Sequence, residues 1–113
     1  MTKSGFMSDT LTRVKALVAT GKVRISDHGY DELADDGILA TDVLDGAHAA
    51  ILVEDYPQFG KGPSVLVLQQ DAGGKPIHVL WGIPKGHAEP AVMVTAYRPD
   101  PGRWSNDFMK RKT

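Results

Sequence analysis

The chain predicts an α+β domain in which N-terminal helices pack on one face of a four-stranded antiparallel β-sheet. Two observations carry this. Apolar residues recur at helical spacing over residues 10–47, and the period then changes from 3.6 to 2 over residues 50–98. The gaps between the later runs are rich in Gly and Pro, and Gly73-Gly74 is a strong turn signal, so the strands follow one another as a meander. At 113 residues with 42% hydrophobic content, the chain forms a single domain over residues 1–113.

In order, residues 1–8 read as a loose, flexible start, with Met7 as a candidate initiator. Asp9 is a cap for a first helix over 10–20, with Leu11, Val14, Leu17 and Val18 on one stripe and Gly21 as its stop. Val23–Ile25 is a short strand. Ser26 caps a second helix that runs to Asp36 and ends on Gly37 in a left-handed C-cap, with Tyr30, Leu33 and Ala34 facing inward. Thr41 caps a short third helix carrying Val43, Leu44 and Ala47. The four meander strands are Ala50–Tyr56, Ser64–Gln70, Pro76–Ile83 and Ala91–Arg98. Trp104 and Phe108 stand at helical spacing in the tail and are expected to fold back on the domain.

The last hairpin fixes what the sheet can present. With Leu80 opposite Thr95, residues Ile77, Val79, Trp81, Ile83, Val92, Val94 and Ala96 share one apolar face that the helices must cover. His78, Leu80, Gly82, Met93, Thr95 and Tyr97 share the other. A slip of one residue would break up the apolar side, because alternate side chains point to opposite faces. His78 and Tyr97 are therefore expected side by side on the more open face.

The net charge of −1 conceals an asymmetry. Between Ser26 and Gly60 stand nine carboxylates and no Lys or Arg, so all 13 basic residues lie elsewhere. Such blocks favour oppositely charged partners, although a solvated acidic helix face has the same composition. The absence of cysteine excludes disulfides and thiolate metal sites. There is no HxH or HExxH pattern, so no metal or other cofactor is expected. Residues 1–10 hold no apolar run of the secretory or membrane-spanning kind, which makes a cytoplasmic protein without a membrane partner the expectation.

The four histidines are the only side chains of a type whose ordinary pKa lies near neutrality. His28 falls in the first turn of the second helix, where free backbone N–H groups favour an anion. His28, His78, Tyr97 and Arg98 together supply what a phosphodiester needs: a base for a 2′-hydroxyl, an acid for the leaving oxygen and a cation for the phosphorane. Each histidine also has a purely structural reading, as a helix-end donor or a half-buried strand residue. His48, near the end of an acidic helix, and His87, in a loop tip, have weaker cases. Lys61 and Lys85, on Gly-containing loops, are candidate contacts to a nucleic-acid backbone, with plain solvation as the alternative. QFGKGPS (58–64) lacks the spacing and following helix of a phosphate loop.

Three blocks carry a resemblance: RISDHGYDELADDGI (24–38), PIHVLWGI (76–83) and VMVTAYRPDPGRWSNDF (92–108). They resemble the family called domain of unknown function 4258 and, more distantly, the RelE-like toxin superfamily that includes BrnT and MqsR. The resemblance implies a RelE-like toxin fold, a neighbouring antitoxin protein as partner, and metal-independent cleavage of RNA. It carries over to His28, His78, Tyr97 and Arg98. One departure is that Asp31 and Glu32 stand where such proteins commonly place an arginine. The expected function is thus a toxin-type endoribonuclease, and the alternative a non-catalytic protein-interaction module of the same fold. A small-molecule or metal enzyme has no motif behind it.

Overall fold

A computed structural model of the protein describes residues 8–112. Helix α1 (Asp9–Ala19) begins one residue earlier than expected, and its cap is Ser8 rather than Asp9: Ser8 is buried and its Oγ accepts the Leu11 N–H at 3.1 Å. The rest of the stretch expected to be loose, residues 1–7, lies outside the described residues. Helix α2 (Asp27–Asp35) is capped by Ser26, whose Oγ accepts from Gly29 at 2.9 Å, and Gly37 follows with φ 63°, the left-handed stop read from the sequence. Its inward residues are Gly29 and Leu33, whereas Tyr30 and Ala34 are exposed. Helix α3 (Ala40–Gly46) starts on Leu39 without a side-chain cap, and a 3-10 turn, Ala47–Ala49, leads into the sheet.

The strands are β1 (Val23–Ile25), β2 (Ile51–Tyr56), β3 (Ser64–Gln70), β4 (Pro76–Gly82) and β5 (Ala91–Tyr97), in the order β1-β5-β4-β3-β2. The sheet is therefore five-stranded and mixed, which corrects the expected four antiparallel strands. β2 through β5 form the meander, but β1 joins the free edge of β5 in parallel, Val23 opposite Ala91 and Ile25 opposite Met93. The reason is backbone satisfaction. Val23 and Ile25 are half-buried, so the N–H and C=O groups of this short strand need partners, and β5 offers a free edge.

The helices cover one side of this sheet. Leu11 and Val14 of α1, Leu33 of α2 and Val43 of α3 meet Val65, Val67, Ile77, Val79 and Trp81 in one core. Trp81 is wholly buried, yet its indole N–H is satisfied by Gln69 Oε1 at 2.9 Å, and Gln69 Nε2 donates onward to the Val43 carbonyl at 2.8 Å.

The hairpin register is the expected one only near its open end. His78, Val79 and Leu80 face Tyr97, Ala96 and Thr95, but Trp81 then faces Met93 and Gly82 faces Val92. Val94 is a bulge residue. A bulge moves the following side chains to the other side of the sheet, so Met93 and Ala91, not Val94 and Val92, enter the core. Ser26 holds the bulge from the edge: its N–H donates to the Met93 carbonyl at 3.1 Å and its hydroxyl to the Val94 carbonyl at 3.0 Å.

The tail packs back on the domain without forming a helix. Asp100, Ser105 and Asp107 side chains accept the N–H groups of Gly102, Lys110 and Met109, a local competition that favours turns over helix. Residues 104–111 form a strap closed by a bridge between Trp104 and Arg111, with Phe108 at φ 61°.

Candidate functional site

Strand alternation places His78 and Leu80 of β4, Thr95 and Tyr97 of β5, and Leu66 of β3 on the side away from the helices. A second bulge, between Leu52 and Glu54, brings Glu54 of β2 opposite Leu66 and Tyr56 opposite Ser64, so both join this side. The strap crosses it at the His78 end.

His78 is fully buried beneath the strap. Its ring stands edge-on to Trp104 at 4.4 Å and to Tyr97 at 5.4 Å between centroids. Nε2 lies 2.8 Å from the Phe108 carbonyl, which only accepts, so Nε2 carries the proton. In the neutral ring Nδ1 then accepts from the Tyr97 hydroxyl at 3.2 Å. Burial lowers the imidazole pKa from its ordinary value, with the Phe108 hydrogen bond opposing, and this keeps the ring neutral. Burial also raises the Tyr97 phenol, so Tyr97 stays protonated.

Beside this pair lies a charged cluster. Arg111 donates from Nε and from a terminal nitrogen to the two Glu54 oxygens, each at 3.0 Å, and its guanidinium lies 4.7 Å from the Trp104 ring centroid. Tyr56 donates its hydroxyl to Glu54. The Arg111 hydrogen bonds hold the Glu54 carboxyl below its usual range, and Glu54 in turn raises Arg111. Burial, with the Glu54 hydrogen bond, raises Tyr56. Glu54, Tyr56, Leu66, Leu80, Thr95, Tyr97 and Arg111 line a hollow of about 170 Å³. That is small for a whole ligand, whose pockets are usually about 300 Å³ or more, but it can admit a phosphate group.

Of the residues named from the sequence, the structure brings together His78 and Tyr97. Arg98 is held elsewhere: one terminal nitrogen pairs with Asp71 at 2.9 Å, the other reaches the Pro76 carbonyl at 3.3 Å, and its N–H donates to Asp36 at 2.8 Å. His28 is exposed on α2, whose Leu33 lies in the core on the opposite side of the sheet. No hydrogen bond or ring contact joins it to His78 or Tyr97 among the described residues. Lys61 lines a second, larger hollow further along the same open side, and the Lys85 N–H donates to the Lys61 carbonyl at 3.1 Å. His48 and His87 are exposed, each with Nδ1 near a local backbone carbonyl. No three His, Asp or Glu side chains among the described residues converge as a metal set.

Sequence reading missed Glu54, Tyr56 and Arg111. The first two stand at i, i+2 on a strand, a spacing that shares a face, and this was the available signal. Arg111 reaches the sheet through turns that leave no periodicity.

A family model for a domain of unknown function, number 4258, matches residues 25–98. The chain belongs to that family. The domain of unknown function 4258 match spans α2, α3, the meander and the hydrogen-bonded pair His78–Tyr97, and stops before the strap that supplies Trp104, Phe108 and Arg111. No curated protein and no solved structure matches the chain. None of its described helices is long and apolar enough to cross a membrane.

Proposed function

We propose that the chain is a toxin-type, metal-independent endoribonuclease of a toxin–antitoxin pair, with a RelE-like fold, acting at the open sheet face. The observation that supports this reading is the Glu54–Arg111–Tyr56 cluster adjoining Tyr97 in one hollow. Glu54 is an ionised carboxylate able to accept the 2′-hydroxyl proton as that oxygen attacks phosphorus. Arg111 offers a cation to the phosphorane charge. Tyr97, protonated and poised on His78, can turn its hydroxyl to the leaving 5′-oxygen and donate the proton. The products are a 2′,3′-cyclic phosphate and a 5′-hydroxyl. In this scheme His78 positions Tyr97, while His28 and Arg98 take no part in the chemistry.

The test is incubation of purified chain with end-labelled single-stranded RNA in chelator. Cleavage with cyclic phosphate ends is expected, reduced about 100-fold or more in Glu54→Gln and Arg111→Ala and little changed in His28→Ala and Arg98→Ala. Intact RNA after prolonged incubation would remove the reading.

A second reading, a non-catalytic interaction module, is favoured by one observation. Both oxygens of Glu54 already accept from Arg111, and Tyr56 donates to the same carboxylate, so the charged cluster is satisfied within the fold. Co-purification with a protein encoded beside this chain, without RNA cleavage, supports that reading.

A further inference from the structure

The bulge at Val94 has an effect at the other end of the open face. It turns Val92 and Val94 outward, next to Leu80 and to Gly82, which has no side chain to fill the space. The result is a bowl of about 380 Å³ with an apolar floor, walled by Phe59, Ile83 and Pro84 and flanked by Arg24 and Lys61. The volume falls within the usual range of small-ligand pockets. Phe59 is 54% exposed, so the face of its ring is open to a stacking partner. Gly62 lets the Lys61 loop close onto the end of β4, since a Cβ there would stand 2.0 Å from the Ile83 carbonyl oxygen.

The charge is one-sided. The chain carries 14 carboxylates, yet none lines the bowl. Neither Arg24 nor Lys61 has an ion pair or side-chain hydrogen bond among the described residues. Unpaired cations beside an apolar floor and an exposed aromatic ring match a ligand with a planar apolar body and an anionic end.

We infer that this bowl binds one unpaired RNA nucleotide, its base over Val92 and Val94 against Phe59 and its phosphate between Arg24 and Lys61. The inference rests on the proposed action on RNA, and continuity supports it: Leu80 lines both the bowl and the Glu54–Arg111 hollow, so the bound nucleotide neighbours the bond to be cut. The bowl reads size rather than base edges. Its one hydroxyl side chain, Ser64, already donates to the Gly62 carbonyl at 3.2 Å. Stacking of this kind tolerates any base, because every base has a π-face.

The experiment is a methyl NMR titration of the full chain with adenosine 5′-monophosphate, with adenosine, and with a five-nucleotide single-stranded RNA. The monophosphate is expected to shift the Leu80, Val92 and Val94 methyls. Phe59→Ala is expected to weaken it roughly fivefold or more, the low end of measured base stacking on aromatic side chains. Arg24→Ala/Lys61→Ala is expected to reduce it to the affinity of adenosine, and the RNA to bind more tightly than the mononucleotide. These side chains line an open surface, so the fold tolerates the changes. Unshifted methyls, or shifts indifferent to Phe59 and to the two cations, overturn the inference. A mononucleotide that binds as tightly as the RNA overturns the assignment to RNA in favour of a free nucleotide. Binding does not require catalysis, so the two proposals fail separately. Lost cleavage with intact nucleotide binding counts against the reaction alone, and retained cleavage without nucleotide binding counts against the bowl alone.

Discussion

His78 and Tyr97 face each other across β4 and β5, Nδ1 to hydroxyl at 3.2 Å, while the opposite ring nitrogen donates to the Phe108 carbonyl at 2.8 Å. One imidazole thus ties the sheet to the strap and fixes the phenol beside the charged cluster. The ring is neutral because charging it under Trp104 would require desolvating a cation.

The first prediction is a dependence of stability on pH. The unfolded imidazole titrates at its ordinary 6.5 and the folded one lower, so the unfolded chain takes up this proton first as the pH falls. The contribution is complete above about 6.5 and is lost below it, until the pH reaches the folded value. The slope from one such group is at most about 1.4 kcal/mol per pH unit. Urea denaturation at several pH values should show this limb in the wild type and not in His78→Gln. His78→Ala should cost about 2–4 kcal/mol at pH 7, from the cavity and from a hydroxyl and a carbonyl left unpaired.

The Glu54–Arg111 pair predicts how firmly the strap is held. Both side chains are partly exposed, 27% and 62%, so solvent screening limits the pair to about 0.5–1 kcal/mol of stability. Local closure should respond more than global stability does. Glu54→Gln is expected to speed hydrogen exchange at the Ser105 and Lys112 amides, which close the strap against Lys110 and Arg103. It should also shift Trp104 fluorescence toward a wetter environment, since the indole loses the guanidinium that covers it. Unchanged exchange in the strap would show that Trp104 packing alone holds it.

Two glycines with positive φ should differ sharply. At Gly37, with φ 63°, an added Cβ would meet nothing within 4 Å, so Gly37→Ala incurs only backbone strain of about 1 kcal/mol. Gly62, at 128°, would place that carbon 2.0 Å from the Ile83 oxygen, a backbone atom that cannot step aside. Gly62→Ala should cost about 2 kcal/mol or more and displace the loop carrying Lys61 and Phe59. Thermal denaturation of the two variants provides the comparison.

Much of the fold was legible because it is written in local periodicity. The three helices, the short strand at Val23, the meander and the Gly37 stop all follow from spacing, but of the expected caps only Ser26 is the one observed: Ser8 replaces Asp9, and Thr41 lies inside α3. The parallel pairing of β1 with β5 was not legible, since its partner lies far along the chain and leaves no local mark. The same holds for the site. Pairing His78 with Tyr97 followed from alternation alone, because no bulge intervenes on that side of Leu80. Past Leu80 the extra residue Val94 reversed the expected faces, sending Met93 inward and Val92 and Val94 outward. Arg98 ends a strand beside Tyr97, and only the tertiary position of Asp71 shows that its guanidinium is already held.

The bulge depends on a contact that gives the last prediction. Helix α2 docks its first turn directly on it: a Cβ at Gly29 would lie 2.6 Å from Met93 Cε and 2.9 Å from the Met93 oxygen. The thioether end is flexible and can move away. The oxygen belongs to backbone and already accepts the Ser26 N–H, so it cannot. Gly29→Ala should therefore destabilise the domain by about 1–3 kcal/mol through overpacking. Shortening the long side chain separates the two clashes: in Gly29→Ala/Met93→Val the Cε contact is gone and the oxygen contact remains. If the backbone contact dominates, the double variant recovers none of the loss and adds the cost of a smaller core residue. Recovery of most of the loss in a double-mutant cycle would place the strain in the Met93 side chain instead.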